Sequence, residues 1–264
     1  MMDRAQAYGD GLFETMRVSK GRLCFPEEHY FRLLAGMRIL RMNIPNEWSP
    51  AGWLQALNLD QLDPTLDYRL RFQVWRNGEL GYEPEPRAGV SWSIDAVMLE
   101  GQGFPNPVMR PELGLFQEHR KSEGLLGNVK SSNALLYILA AGFAQEQHLD
   151  EVLIMNPANM VLEASKSNVF IVRGSVLITP PLSSGALRGV MREVVIGLAP
   201  ELGLSVREEL FSPFALQQAD EVWLTNSIQG VAAVRQFRKT TYGAARAQDM
   251  QNLVRNRSEV AQFQ

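Results

Sequence analysis

Four short stretches of the chain set chemically capable side chains beside turns or at the ends of elements. Lys130 stands in LGNVKSSN, residues 126–133, immediately before an Ala- and Leu-rich run. A lysine at a strand-to-helix junction can reach into a cleft while its neighbours hold it, and its neutral amine can attack a carbonyl or take a proton. Glu163 follows the apolar pair Val161-Leu162, and a carboxylate at the end of a strand can meet a cationic ring nitrogen. Residues 187–192, LRGVMR, follow a Pro/Ser/Gly-rich loop and open a helix. The N–H groups of a glycine-led helix start suit an anion such as phosphate. Residues 225–228, TNSI, follow the apolar Val222-Trp223-Leu224, and small hydroxyl side chains there can add hydrogen bonds to the same anion. Taken singly, each stretch also fits a solvated lysine, a turn carboxylate or an ordinary helix start.

Composition narrows the classes. The 264 residues are 45% apolar and 21% charged, as in soluble globular proteins. That length holds one large domain or two modest ones and buries a sizeable core without staples. A formal net charge of -3 leaves no electrostatic footprint for a polyanion, so no nucleic-acid partner is expected. The densest basic stretch, residues 235–239, reads as a solvated strand end or loop. Cys24 is the single cysteine, which rules out an internal disulfide and a cysteine-based zinc site. Within Leu23-Cys24-Phe25 it reads as a buried, inert thiol. His29, His119 and His148 lack metal-ligand spacing, and no metal is expected. No apolar run of about 18 residues occurs, so no membrane span is expected. The opening Met1-Met2-Asp3-Arg4 carries no signal-peptide core, and the expected location is cytoplasmic.

The elements that must position these residues follow from periodicity. A turn at 9–11 leads into a strand over 12–18, closed by Gly21. Pro26 begins a helix with Glu27 and Glu28 in its first turn and Leu33, Leu34, Met37 and Leu40 on one face. A short helix is expected over 50–57. Residues 68–76 alternate, with Leu70, Phe72 and Val74 on one face, and 90–99 reads as another strand. Glycines and prolines over 101–111 exclude regular structure. A short strand is expected over 113–118 and a turn between Gly124 and Gly127. A helix over 133–147, strands over 151–155, 161–163 and 168–172, a helix over 189–198 and a strand over 221–225 follow. Helices and strands interleave in both halves, an α/β (α+β) pattern in two domains. The expected division is a small α/β domain over 1–115, a linker over 116–126 and a larger α/β domain over 127–264.

In chain order, a set of stretches resembles one family. They are YGDGLFETMR (8–17), EHYFRL (28–33), KSSN (130–133), DEVL (150–153), EASKSNVF (163–170), TPPL (179–182), GALRGVMR (185–192) and ADEVWLTNS (219–227). Together they resemble the class IV, fold type IV enzymes of pyridoxal 5'-phosphate, over roughly residues 4–240. That family includes branched-chain aminotransferases, D-amino-acid aminotransferases and 4-amino-4-deoxychorismate lyase. The resemblance implies that Lys130 forms the Schiff base and then shuttles the proton, and that Glu163 pairs with the pyridine nitrogen. It implies a phosphate cup made of Arg32, the Gly189 helix start with the N–H groups of Val190 and Met191, and the Ser227 hydroxyl. It places Tyr8, Phe13 and Arg17 on the side of a small amino substrate, and it implies a homodimer. Members usually carry a further opening strand ahead of the stretch matching Asp3-Arg4, and this chain is expected to lack it.

Within the family, Asn226 and the spacing Lys130-x-x-Asn133 resemble the lyase branch. One departure concerns the loop after residue 76, where Leu80 stands in place of a second arginine of the lyases. An arginine fork matters for recognising a carboxylate. Arg69, Arg71 or Arg76 can take that role, and Arg76 is best placed by alignment. The first expectation is therefore a lyase that releases pyruvate from 4-amino-4-deoxychorismate to give 4-aminobenzoate for folate synthesis. The second is an aminotransferase acting on branched-chain or D-amino acids, and the third a non-catalytic binding protein on the same fold.

Overall fold

The structure, a computed structural model, describes residues 3–106, 112–260 and 263. Part of the expected irregular stretch, residues 107–111, lies outside the described residues. The chain forms two compact units. The first comprises Met1–Gly103, Val129–Ala134 and Ser258–Gln264, and the second Phe104–Asn128 and Leu135–Arg257.

In the first unit, helix α1 (Arg4–Tyr8) leads into strands β1 (Gly11–Ser19) and β2 (Arg22–Leu23). Helices α2 (Pro26–Ile39) and α3 (Pro50–Ala56) and strands β3 (Asp67–Arg76) and β4 (Val90–Leu99) follow. The sheet order is β2-β1-β3-β4, with antiparallel pairing throughout. Alternation decides its two faces. Leu12, Met16 and Val18 of β1 and Leu70, Phe72 and Val74 of β3 are buried with Leu33, Leu34 and Met37 of α2 in one core. Phe13, Thr15, Arg71 and Gln73 lie on the opposite face, with Thr15 paired to Arg71 and Phe13 to Gln73.

The second unit begins with β5 (Leu113–Leu115), α4 (Leu125–Asn128), α5 (Leu135–Glu146), β6 (Glu151–Met155), β7 (Val161–Ala164), β8 (Asn168–Arg173) and β9 (Val176–Thr179). It continues with α6 (Val190–Leu198), β10 (Ser205–Glu208), α7 (Pro213–Leu216), β11 (Glu221–Asn226), β12 (Gly230–Ala233), β13 (Gln236–Phe237), β14 (Thr240–Thr241) and α8 (Ala245–Val260). Two five-stranded sheets result, β10-β9-β8-β11-β12 and β14-β13-β5-β6-β7. Strands β6, β7, β8 and β11 are buried almost end to end, as sheets covered on both faces require. No described helix is long and apolar enough to cross a membrane.

The units divide the chain differently from the expected boundaries. Strand β5, expected in the first domain, pairs in parallel with β6 of the second unit. The Lys130 segment, expected in the second domain, belongs to the first unit. The reason is backbone pairing. The Phe13 N–H donates to the Lys130 carbonyl at 3.0 Å and the Ser132 N–H to the Gly11 carbonyl at 2.8 Å.

Arg17, expected beside substrate, is buried. Its Nε and Nη2 donate to Asp67 Oδ2 at 3.0 and 2.7 Å, and the Gly103 N–H donates to the same oxygen. The guanidinium holds β1 to the start of β3. Removing one partner of a buried ion pair strands the other charge. Asp67→Ala should therefore lower the unfolding free energy in a urea titration by about 3 kcal/mol. The double variant Arg17→Met/Asp67→Leu should recover most of that loss.

Candidate active site

Lys130 lies beside the first strand rather than at a simple strand-to-helix junction. Ser131 bridges to Leu12 in antiparallel fashion, so residues 130–132 run along the start of β1. Gln73 reaches the Ser132 hydroxyl at 3.4 Å. The Lys130 amine stands 4.3 Å from the centroid of the Phe13 ring, and the Arg71 guanidinium 3.9 Å from the same centroid. The structure thus brings together three residues named from the sequence, Lys130, Phe13 and Arg71. Arg71 makes no ion pair among the described residues. Its neighbours are Gln73, which accepts at 3.4 Å, the Phe13 ring, the Arg69 cation and Asp95, which stands opposite it on β4 and counters the effect of Arg69. Burial and then Arg69 lower its pKa.

On the other face of β1 one inward position is charged. Glu14 lies between Leu12 and Met16 and is as buried as they are. Helix α2 answers it with His29 and Arg32, one turn apart on one side. Arg32 Nε donates to Glu14 Oε1 at 2.8 Å and its Nη2 to Oε2. His29 Nδ1 lies 2.7 Å from Oε2, so the hydrogen-bond network assigns the proton to Nδ1. His29 Nε2 is buried without a hydrogen-bond partner among the described residues. Burial opposes ionisation of Glu14, but the charge of Arg32 and the hydrogen bonds from His29 and Arg32 hold its pKa down to about 2. Burial also lowers the pKa of His29. Arg32, expected at a phosphate, is thereby fixed by a carboxylate for which the sequence suggested no role. Its signal was present: a single acid at an inward position of an alternating strand.

In the second unit, Glu163 sits in β7 and is 2% exposed. Three donors meet its carboxylate. Lys121 Nζ at 2.6 Å and the Tyr137 hydroxyl at 2.7 Å both donate to Oε1, and the Leu187 N–H donates to Oε2 at 2.7 Å. Lys121 also donates to the Gly127 carbonyl at 2.8 Å. Asn128 Nδ2 donates to the carbonyls of Leu182 and Ala186, so the 121–128 segment is tied to the loop that delivers Leu187. Burial, and then the nearby Glu163, raise the Tyr137 pKa well above its ordinary value. Neither Lys121 nor Tyr137 was expected. Lys121 depends on the path of a loop that carries no periodic signal, and Tyr137 on which side of α5 meets β7.

The helix start at Gly189 lies against β8. Asn168 Nδ2 donates to the Leu187 carbonyl, and a Cβ at position 189 would overlap Asn168 Oδ1. Only glycine lets the backbone come this close. Gly189 caps α6 with no side-chain hydrogen bond to its first turn. Thr225, paired with Asn168 across β8 and β11, keeps a buried hydroxyl with no hydrogen-bond partner among the described residues. An uncapped helix start beside an orphaned hydroxyl fits a phosphate group. Asn226 serves the adjoining turn. Its Oδ1 accepts from the N–H groups of Ile228 and Gln229, and its Nδ2 donates to the Ser167 hydroxyl. Ser227 sits in that turn.

Two expected substrate residues have other surroundings. Arg76 is buried, and its guanidinium donates to Asp10 and to the carbonyls of Leu40 and Arg41. Its guanidinium is thus tied into the framework and not to the face that carries Phe13 and Lys130. Tyr8 packs its ring 5.5 Å from that of Tyr82. The loop carrying Leu80 is organised instead by Arg4, which donates to the carbonyls of Glu79 and Gly81 and to Asp10. Leu80 itself is exposed.

The amino-transferase class IV model matches residues 11–237. The chain belongs to this family. It is 28% identical to an aminodeoxychorismate lyase of Vibrio harveyi over 88% of this chain and 84% of that one. It is 30% identical to a putative branched-chain-amino-acid aminotransferase of Methanocaldococcus jannaschii, over 89% of this chain and 81% of that one. Its fold is similar to that of a branched-chain amino acid aminotransferase from T.th., solved with pyridoxamine 5'-phosphate. That likeness has a TM-score of 0.82 and 25% identity, and it covers 97% of this chain and 88% of that one.

The Glu14 cluster sets a pH dependence. A carboxyl held at about 2 when folded, against an ordinary 4.5, contributes stability that is complete above 4.5 and is lost as pH falls towards 2. Glu14→Gln should flatten the acid limb of unfolding free energy against pH across that window. It should also lower stability at neutral pH, both measured by denaturant titration.

Proposed function

We propose that this class IV enzyme is a 4-amino-4-deoxychorismate lyase, releasing pyruvate and forming 4-aminobenzoate for folate synthesis. The observation that carries the reading is Arg71, whose guanidinium shares the Phe13 ring with Lys130 on the outward face of the sheet. A planar fork beside the reacting amine suits an anionic ring substrate, because it binds a carboxylate through two parallel hydrogen bonds. Asn226, which resembles the lyase branch, supports the same reading by shaping the turn that carries Ser227.

Pyridoxal 5'-phosphate is the cofactor of this family, and when bound it supplies the electron sink that makes the proton on an amine-bearing carbon removable. The residues divide the remaining work. Lys130 takes that proton. Expulsion of the neighbouring enol-ether oxygen then leaves an aromatic ring, and a proton delivered to the departing enolpyruvyl carbon completes pyruvate. Glu163 holds the ring nitrogen of the cofactor. Arg32, the N–H groups of Val190 and Met191 and the hydroxyl of Ser227 hold its phosphate, with Glu14 fixing the Arg32 fork. Arg71 orients the substrate carboxylate.

The aminotransferase reading is favoured by the similar identity to the archaeal relative. Incubation of the loaded enzyme with 4-amino-4-deoxychorismate should yield 4-aminobenzoate and pyruvate. Conversion of branched-chain or D-amino acids to keto acids, with no 4-aminobenzoate, decides for the aminotransferase instead. Lys130→Ala should abolish turnover and the visible absorbance of the bound cofactor. Arg71→Ala should raise KM for the lyase substrate by at least tenfold, on the order of the 1.4 kcal/mol of one charge-assisted hydrogen bond.

A second copy of the chain is the proposed partner. Helix α5 buries only Ala140 and Ala144. Leu135 and Ile138 on that helix are 62% and 64% exposed, and Leu125 and Leu126 ahead of it are 68% and 72% exposed. Large apolar side chains gathered outside a core of alanines call for a covering surface. Leu135→Glu/Ile138→Glu should convert a dimer to a monomer in sedimentation velocity. A wild-type chain that is already monomeric at micromolar concentration refutes the partner.

A further inference from the structure

The donor set around Glu163 is asymmetric. An ionised glutamate only accepts, with about two lone-pair positions on each oxygen. Oε1 takes both Lys121 Nζ and the Tyr137 hydroxyl, whereas Oε2 takes the Leu187 N–H alone. Lys121 and Glu163 are both buried, and the Lys121 amine has its second acceptor in the Gly127 carbonyl. The Tyr137 ring lies 5.4 Å from the same amine, so the three side chains form one packed group.

We infer that Lys121 and Tyr137 are positioning residues that occupy Oε1 of Glu163, leaving one acceptor position, on Oε2, for the ring nitrogen of the cofactor. This rests on the reading that Glu163 faces that nitrogen. The arrangement has two consequences. It fixes which carboxylate oxygen would be left for the ring nitrogen. It also sets a lysine cation beside the carboxylate, and that cation opposes a second positive charge on the ring. The ring nitrogen is held, yet its proton is held less tightly than by a lone buried carboxylate. Lys121 thus tunes the strength of the electron sink without touching the substrate.

The test uses the enzyme loaded with pyridoxal 5'-phosphate carrying 15N in the ring, its nitrogen resonance followed against pH. Glu163→Gln should lose the protonated-ring signal at neutral pH. An unchanged signal there removes the underlying reading of Glu163. Lys121→Met should hold the ring proton about tenfold more tightly, a midpoint about one pH unit higher, and Lys121→Arg should restore the wild-type midpoint. If Lys121→Met fails to fold by circular dichroism, Tyr137→Phe decides, with a smaller rise expected. A midpoint that stays or falls in the deciding variant, while Glu163→Gln responds, overturns the inference and leaves the role of Glu163 intact.

Discussion

A carboxylate buried away from water must be surrounded by donors, and this constraint organises both units. Desolvating an ionised group costs several kcal/mol unless hydrogen bonds and an opposite charge replace the lost water. Glu163 meets that requirement with an amine from the 121–128 loop, a hydroxyl from α5 and a backbone N–H from the loop before α6. Three segments far apart in sequence converge because one acid on a buried strand demands them. The path of the loop from Lys121 to Asn128, its attachment to the carbonyls of Leu182 and Ala186 and the placement of Gly189 against Asn168 all belong to this one solution.

The same logic recurs in the first unit. Glu14 occupies an inward position of β1, and α2 supplies His29 and Arg32 from a single turn. Asp67 at the start of β3 is met by Arg17 and by the Gly103 backbone. Buried acids thus fix the arginines, and the arginines tie elements together. Arg71 differs because it lies on the outward face of the sheet, over Phe13 and beside Lys130.

Much of the fold was legible in the sequence. The periodic stretches became elements with nearly the expected bounds, including Val90–Leu99 and Glu151–Met155. The long helix Ala245–Val260 was not anticipated, and neither were the short strands β9, β10, β12, β13 and β14. Short strands carry too few residues for a period to show, and α8 buries so few positions that its pattern is nearly all polar. The division into units was also read differently. Periodicity reports which face of an element is buried and says nothing of which neighbour buries it. Pairing of residues 130–132 with the start of β1 is a long-range choice.

By itself the sequence determined the family and singled out Lys130 and Glu163 as the proposed amine and acid. Those rest on residue types in a fixed order, and order survives without coordinates. Only the tertiary structure decided which arginines are tied into the framework. Arg17, Arg71 and Arg76 are alike as letters, and β3 carries two of them on opposite faces. Burial beside Asp67 and Asp10 commits Arg17 and Arg76 to the framework, while the outward register leaves Arg71 over Phe13. Lys121 and Tyr137 likewise acquire meaning only through the chain's path, because a donor is defined by the acceptor it reaches.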